Sequence, residues 1–140
     1  KYNRARNIAW LGFGATFVST GIIGIIGATE PSLWLDRFTN DPKAYSYGAL
    51  YLSFAALFYG FFGGGQSLYF ASQGTGRMLI PVTVSISRLI LVATIGMLSI
   101  RFSWDISVIF GTVGAGLAIF GVGNAANMFS NIWRQKQAVE

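Results

Sequence analysis

The chain contains neither cysteine nor histidine, and only five of its 140 residues are acidic. Without cysteine and histidine it has no disulfides, thiol nucleophiles, Cys/His zinc sites or histidine-ligated haem. The acids all fall in expected loops or in the tail: Glu30, Asp36, Asp41, Asp105 and Glu140. No pair of carboxylates is therefore expected inside an apolar region. The sequence predicts no catalytic residues, no metal site and no cofactor, and we do not expect an enzyme.

Charge of either sign is scarce, at 11% of residues, whereas a soluble domain usually has about 25%. The residues that remain form long apolar stretches at 7–29, 44–76, 78–100 and 106–133, and the only charge within them is Arg88. A transmembrane helix needs about 20 apolar residues, because the hydrocarbon core is about 30 Å thick. The pattern predicts an all-α integral membrane protein with four transmembrane helices.

The expected helices cover residues 8–28, 47–71, 79–100 and 106–129 of a single membrane region that spans residues 1–140. Residues 29–46 are expected to form an interfacial loop, within which a short helix over 32–38 and a plain loop fit equally well. Asp41 followed by Pro42 is typical of a helix start. The Gly60–Gly64 pair favours close helix packing. Asn124 and Asn127 are expected at the membrane–water interface.

The net charge of +5 would suggest nucleic acid in a soluble protein, but here it is better interpreted as membrane topology. If Lys1 lies in the cytoplasm, four crossings place six basic residues inside and three outside. The inside set is Lys1, Arg4, Arg6, Arg77, Arg134 and Lys136, and the outside set is Arg37, Lys43 and Arg101. This bias predicts that both ends are cytoplasmic, with membrane lipid and no nucleic acid as a partner.

The second expected helix has a polar strip that makes it the main candidate for a functional surface. At about 100° per residue its polar side chains fall within a wedge of about 80°. They are Tyr51, Tyr59, Gln66 and Tyr69. Such a strip faces protein or water rather than lipid, because buried polar groups need partners. A cavity-lining face and a helix–helix contact through hydrogen bonds both explain it, and the sequence does not choose between them.

Arg88 is the one charge that the expected spans place inside the membrane. A long basic side chain in this position is expected to extend towards the lipid phosphates or to pair with helix carbonyls. A direct role in transport is the weaker interpretation, because no acid of the chain lies at that depth.

Two strings of residues resemble a known family. They are YFASQGTGRMLIP at residues 69–81 and LDRFTND at residues 35–41, and Arg88 stands where that family tends to have an arginine. The chain resembles the multidrug and toxic compound extrusion (MATE) transporters, within the wider multidrug/oligosaccharidyl-lipid/polysaccharide flippase superfamily. The resemblance covers essentially the whole chain, which corresponds to helices nine to twelve.

The resemblance implies a fold and a function. Members have twelve helices in two six-helix lobes, and they export cationic or amphipathic compounds against proton or sodium entry. This chain would supply part of the second lobe of a transporter in the bacterial inner membrane, and its partners would be the remainder of that transporter and amphipathic cations. Some members keep a coupling acid in the second lobe, where this chain has Tyr and Gln. The coupling acid is therefore expected in the part of the transporter outside this chain.

Two other functions fit the sequence. An autonomous four-helix membrane subunit with a structural or assembly role would be expected to have its own initiating methionine, whereas this chain starts at Lys1. A flippase for lipid-linked substrates shares the two-lobe plan, but such proteins often line the cavity with basic residues. Here only Arg88 qualifies.

Overall fold

The computed structural model of the chain describes residues 2–76 and 78–130, and within these ranges the secondary structure is entirely helical. The helices are α1 (Tyr2–Thr29), α2 (Ser32–Leu35), α3 (Pro42–Ala55), a 3-10 turn (Ala56–Phe58), α4 (Tyr59–Gln73), α5 (Leu79–Arg101) and α6 (Ile106–Asn127). The prediction of an all-α fold is confirmed. Residues 1, 77 and 131–140, which include Lys1, Arg77, Arg134 and Lys136 of the topology argument, lie outside the described ranges.

Four helical segments of the described residues are long and apolar enough to cross a membrane, which confirms the predicted number of spans. They are Arg4–Thr29, Pro42–Gln73, Leu79–Arg101 and Ile106–Asn127. The second segment joins α3, the 3-10 turn and α4 without a break. A bilayer interior offers no water to unpaired backbone groups, so helices that pair these groups internally are the expected way to cross it. The chain is an integral membrane protein.

The first two spans begin earlier than the apolar pattern predicts. α1 begins at Tyr2 rather than near residue 8, because Arg4 and Arg6 are good helix formers and no Gly or Pro stops the helix there. α3 begins at Pro42 rather than near residue 47. The apolar pattern identifies only the part of each helix that is suited to lipid. The helix itself extends into the polar residues that precede this part.

Local chemistry fixes the start of α3. The Asp41 carboxylate accepts a hydrogen bond of 2.9 Å from the Lys43 backbone N–H, and Pro42 occupies the first turn, as in a typical helix N-terminus. Residues 29–46 are therefore not all loop. They contain the short helix α2 and the first residues of α3, so of the two alternatives for this segment the structure has the short helix.

The long helices pack in the order α1, α4, α6, α5. α1 contacts mainly α4, α4 also contacts α6, and α6 contacts both α3 and α5. Most of the large apolar side chains of α1 and α5 are exposed in the isolated chain, as expected for helices at the two ends of this row. The pair formed by α3–α4 and α6 is thus the central layer of the bundle.

Glycines bring the central helices close to their neighbours. Residues 63–65 are three consecutive glycines, and a Cβ at the first would overlap the Thr20 side chain of α1. A Cβ at the second would lie 2.6 Å from Cε2 of Phe13, also on α1, and at the third 2.8 Å from Cα of Gly121 on α6. One glycine run therefore serves two helix contacts, which is the packing role expected of small residues in membranes.

A buried polar contact joins the C-terminal ends of α4 and α6. Asn127 Nδ2 donates a 3.1 Å hydrogen bond to Ser72 Oγ, and Ser72 Oγ donates one of 2.9 Å to the Leu68 carbonyl. Asn124 is fully buried as well and donates to the Phe120 carbonyl. Asn124 and Asn127 are thus buried between helices rather than exposed at the bundle surface, and Asn127 is the last residue of its span. Their position at the level of the membrane–water interface stays a prediction.

Candidate functional site

A cavity of about 390 Å³ opens near the middle of the bundle, and every one of the four spans contributes to its lining. Its walls are mainly apolar, with a few polar groups directed to one space. The lining residues are Thr20 and Ile23 of α1, Tyr51 of α3, Tyr59 and Phe62 of α4, Arg88 of α5, and Val113 and Leu117 of α6. A concave apolar site with a few convergent polar groups is the usual form of a small-molecule site.

The two tyrosines of the cavity lie on either side of the 3-10 turn. Tyr51 belongs to α3 and packs edge-to-face against Phe110 of α6, with ring centroids 5.4 Å apart. Tyr59 is the first residue of α4 and lines the same cavity. The Thr20 hydroxyl shares its one proton between two carbonyls, that of Thr16 at 2.6 Å and that of Tyr59 at 3.0 Å, and the second contact links α1 to the start of α4. The polar side of the cavity is thus held by contacts among four helices, α1, α3, α4 and α6.

Among the described residues that line the cavity, Arg88 alone is charged. Its guanidinium carbon lies 5.5 Å from the ring centroid of Phe62 and 5.8 Å from that of Phe120, within the range of a cation–π contact. Gly116 of α6 leaves room for the arginine stem, since a Cβ there would lie 3.1 Å from Arg88 Cγ. In the structure the guanidinium contacts two aromatic rings, from α4 and α6, rather than the helix carbonyls that were one of its two expected partners. The other expectation, extension towards lipid phosphates, stays a prediction.

A second cavity, of about 400 Å³, lies beside the first and shares Arg88 with it. Ser85, Leu89 and Val92 of α5 and Val113 of α6 complete its lining. Arg88 and Val113 therefore stand at the boundary between two adjoining spaces. The guanidinium is half-buried, so it remains accessible from the cavities.

Gln66 and Tyr69 do not join Tyr51 and Tyr59 in the first cavity. Seven residues separate Tyr59 from Gln66, which is about 10 Å along a helix. Tyr69 instead packs at 6.3 Å from Phe120, whose ring also contacts Phe62 and Arg88. The strip predicted from a straight helix is therefore divided: its first half faces the cavity and Tyr69 takes part in helix packing. A role in substrate contact stays a prediction for all four residues.

No acid lines either cavity among residues 2–76 and 78–130. The acids within these ranges are exposed and lie outside the four spans; they are Glu30, Asp36, Asp41 and Asp105. Glu140 is outside the described residues. The first cavity thus combines one guanidinium, two phenols and apolar walls. Such a set can bind an amphipathic molecule, but it offers no carboxylate that could accept a proton or coordinate a metal ion.

Several residues of the site have no signal in the sequence. Phe62 and Phe120 are ordinary apolar residues of apolar helices, and only the structure shows that both rings contact Arg88. Thr20 is one of several hydroxyl residues of α1, and its bond to the Tyr59 carbonyl joins residues that are distant in the chain. The one usable signal was Arg88 itself, because an unpaired charge within a span requires a partner.

The comparisons with known proteins agree with this architecture. The family model described as MatE matches residues 1–98, which covers α1 to most of α5. No curated protein and no solved structure matches the chain. The matched part is more than half of the sequence, contains three of the four spans, and includes both strings on which the resemblance rested. The chain belongs to the MatE family, the MATE-type membrane transporters.

Proposed function

We propose that this chain forms helices nine to twelve of a secondary active multidrug efflux antiporter in a bacterial inner membrane, with both ends in the cytoplasm. The transporter exports cationic or amphipathic compounds in exchange for protons or sodium ions. Membership of the MatE family supports a membrane transporter. The helix numbering, substrates, coupling ions, bacterial inner membrane and cytoplasmic ends are our proposal.

The cavity lined by Tyr51 and Tyr59 is the observation that carries the proposal. Its volume of about 390 Å³ falls within the roughly 300–1,000 Å³ of drug-sized sites. Two phenol rings beside apolar walls suit flat amphipathic molecules, and aromatic faces attract cations by about 0.5–2 kcal/mol each. All four spans meet at this cavity, so a movement of one helix against the others would change its shape, as alternating access requires.

Ion coupling is expected to depend on residues outside this chain. None of the described residues that line the cavity is a carboxylate, and coupling to protons or sodium ions requires a group that binds them in the membrane. We propose that the remainder of the transporter supplies that acid. Replacing each intramembrane acid of that remainder should abolish ion-coupled export, and coupled export that survives all the replacements would contradict this assignment.

The intact mass of the native polypeptide tests whether the chain is part of a twelve-helix protein. A transporter of twelve helices has three times as many helices as this chain, so its mass should be about three times the 15.2 kDa of this sequence. A native polypeptide of 15.2 kDa would instead support the autonomous four-helix subunit.

Transport in proteoliposomes tests the cavity. Ethidium, a flat aromatic cation, serves as the substrate under an imposed proton or sodium gradient. Tyr51→Leu and Tyr59→Leu remove one ring each from the lining, and each should lower the transport rate several-fold. Tyr47→Leu is the matched control, because Tyr47 lies on α3, the helix of Tyr51, and its side chain is exposed. Equal transport rates for all three variants would show that the cavity does not contact the transported substrate.

A further inference from the structure

Arg88 carries a charge that its surroundings satisfy only in part. Two aromatic rings receive the guanidinium, but aromatic faces accept none of its five N–H groups as a carboxylate would. Among residues 2–76 and 78–130, no carboxylate or carbonyl oxygen accepts a hydrogen bond from it. A charge within a membrane span is costly unless it is paired or hydrated. The site therefore lacks an acceptor for the donors of Arg88.

The place of Arg88 between two cavities gives room for such an acceptor. The guanidinium lines both the 390 Å³ and the 400 Å³ spaces, and the Phe62 and Phe120 rings hold it there. Tyr51 and Tyr59 line the first cavity as well, and their hydroxyls can also donate hydrogen bonds. The guanidinium and these hydroxyls thus line one space whose described walls are otherwise mainly apolar.

The charge of this site also affects which ligands are favoured. Close to the guanidinium, a cationic group would meet a fixed positive charge with no described acid to offset it, and like charges repel strongly at low dielectric. The uncharged rings of Tyr51 and Tyr59 remain the part of the lining that suits a cation. The rings of Phe62 and Phe120 already bind the cation of the protein itself. An anionic group would instead gain charge-assisted hydrogen bonds, the strongest kind that a side chain offers.

We propose that Arg88 forms a subsite for the anionic headgroup, a carboxylate or a phosphate, of an amphipathic ligand whose apolar body fills the cavity beside Phe62 and Leu117. The inference rests on the proposed function, because it takes the cavity to be a ligand site. It specifies the ligand class: aromatic amphiphiles that carry an acid group, including those that also carry a positive charge elsewhere.

A series of matched ligands tests the proposal on the unaltered transporter. Binding of naphthylacetate, naphthylacetamide and naphthylethylammonium is measured by equilibrium dialysis in a neutral maltoside detergent. These molecules share one apolar body and differ in the charge of the headgroup. Naphthylacetate should bind tighter than the neutral amide by about tenfold or more, as a charge-assisted contact implies. Equal affinity for the two would overturn the proposal without any mutation.

Variants of two arginines on one helix then assign the preference to a residue. Arg88→Gln should remove the tenfold advantage of naphthylacetate, and Arg88→Lys should retain part of it, because lysine keeps the charge but not the planar fork. Arg101→Gln is the matched control, since Arg101 ends the same helix and is exposed. An advantage that survives Arg88→Gln in folded protein would overturn the assignment to Arg88.

Added phosphatidylglycerol distinguishes a lipid headgroup from a free amphiphile as the source of the anion. If this lipid competes with naphthylacetate in the unaltered protein but not in Arg88→Gln, the subsite is supported and a lipid phosphate can occupy it. If the lipid does not compete, a preference that depends on Arg88 supports a free acid as the ligand. No preference for naphthylacetate, together with a lower melting temperature of Arg88→Gln, would show that an acid of the transporter itself pairs with Arg88. That result overturns the proposal.

The same series separates failure of this inference from failure of the proposed function. Binding of naphthylethylammonium and ethidium transport with no preference for the acid would contradict the inference and leave the multidrug function standing. Absence of binding by all three compounds, together with unaltered transport in the Tyr51 and Tyr59 variants, would contradict both.

Discussion

Asn127 and Ser72 form a hydrogen bond of 3.1 Å between the ends of α6 and α4, and both side chains are almost completely buried. Asn127→Ala should lower the free energy of unfolding by about 0.6–1.7 kcal/mol, the range that double-mutant cycles give for interhelical hydrogen bonds in a membrane protein. Thermal unfolding in detergent measures this loss. Asn7→Ala is the control, because Asn7 is exposed on α1 and its replacement by a better helix former should cost nothing. If the effects of Ser72→Ala and Asn127→Ala simply add in the double variant, the two residues do not interact.

Gly121 lies directly against the backbone of α4. A Cβ at this position would overlap the Phe61 carbonyl and lie 2.8 Å from Phe61 Cβ, and a helix backbone cannot move away as a flexible side chain can. Gly121→Ala should therefore destabilise the protein, although alanine is the better helix former by about 1 kcal/mol.

Gly96→Ala is the matched control for this substitution. Gly96 lies within α5 and an added Cβ would meet nothing within 4 Å, so only the helix propensity changes and the melting temperature should stay the same or rise. Melting temperatures that shift in the same direction for both variants would show that the contact between α4 and α6 is looser than described.

Asp105 caps the N-terminus of α6 outside the membrane span. Hydrogen bonds from Ser107, from its side chain and from its backbone N–H, hold the pKa of the Asp105 carboxyl below its usual value. A group with a lowered folded-state pKa stabilises the fold above its unfolded pKa, about 3.9 for aspartate, and this contribution is lost as the pH falls through the folded value. The difference in melting temperature between the unaltered protein and Asp105→Asn should therefore shrink as the pH falls from 7 towards 3.

The same replacement at Asp36, which is also exposed, controls for the loss of one negative charge. A difference for Asp105→Asn that stays constant over this range of pH would mean that the ionised carboxylate has no part in the cap.

Ser103 adopts a left-handed backbone conformation, with φ of 51°, just after α5. The Trp104 N–H bonds to the Ser99 carbonyl at 2.9 Å and the Ser103 N–H to the Ile100 carbonyl, a helix ending in which glycine is usual. Ser103→Gly should raise the free energy of unfolding by about 1 kcal/mol, because glycine has no Cβ to strain. Ser87→Gly, in the interior of the same helix, should lower it by a similar amount. Destabilisation by both variants would contradict this account of the turn.

Length and composition were enough to predict the four spans, because lipid imposes the same requirement on every crossing segment. They did not predict the 3-10 turn at Ala56–Phe58. That turn lies where Gly24 of α1 approaches the Ala56 carbonyl. These two residues are far apart in the chain, so the periodicity of a single helix cannot predict their contact.

The turn does not divide the polar strip, because Tyr51 and Tyr59 on its two sides line the same cavity. The division falls within α4, between Tyr59 and the later residues Gln66 and Tyr69.

Arg88 and Asn127 show a second limit of inference from sequence. Both residues are polar side chains in or near an apolar span. The pattern alone predicted the membrane–water interface for Asn127, and lipid phosphates or helix carbonyls as partners for Arg88. The structure buries Asn127 against Ser72 and turns Arg88 towards Phe62 and Phe120. The partners of a polar residue decide its position in a membrane bundle, and those partners come from other helices.

The three glycines at residues 63–65 have a consequence for how this sequence can evolve. The middle glycine contacts Phe13 of α1, and the last contacts Gly121 of α6. A larger residue at either position requires a smaller partner on a different helix, so homologues should show paired changes between positions 64 and 13 and between positions 65 and 121. The two pairs should vary independently of each other, although their first members are adjacent in the chain.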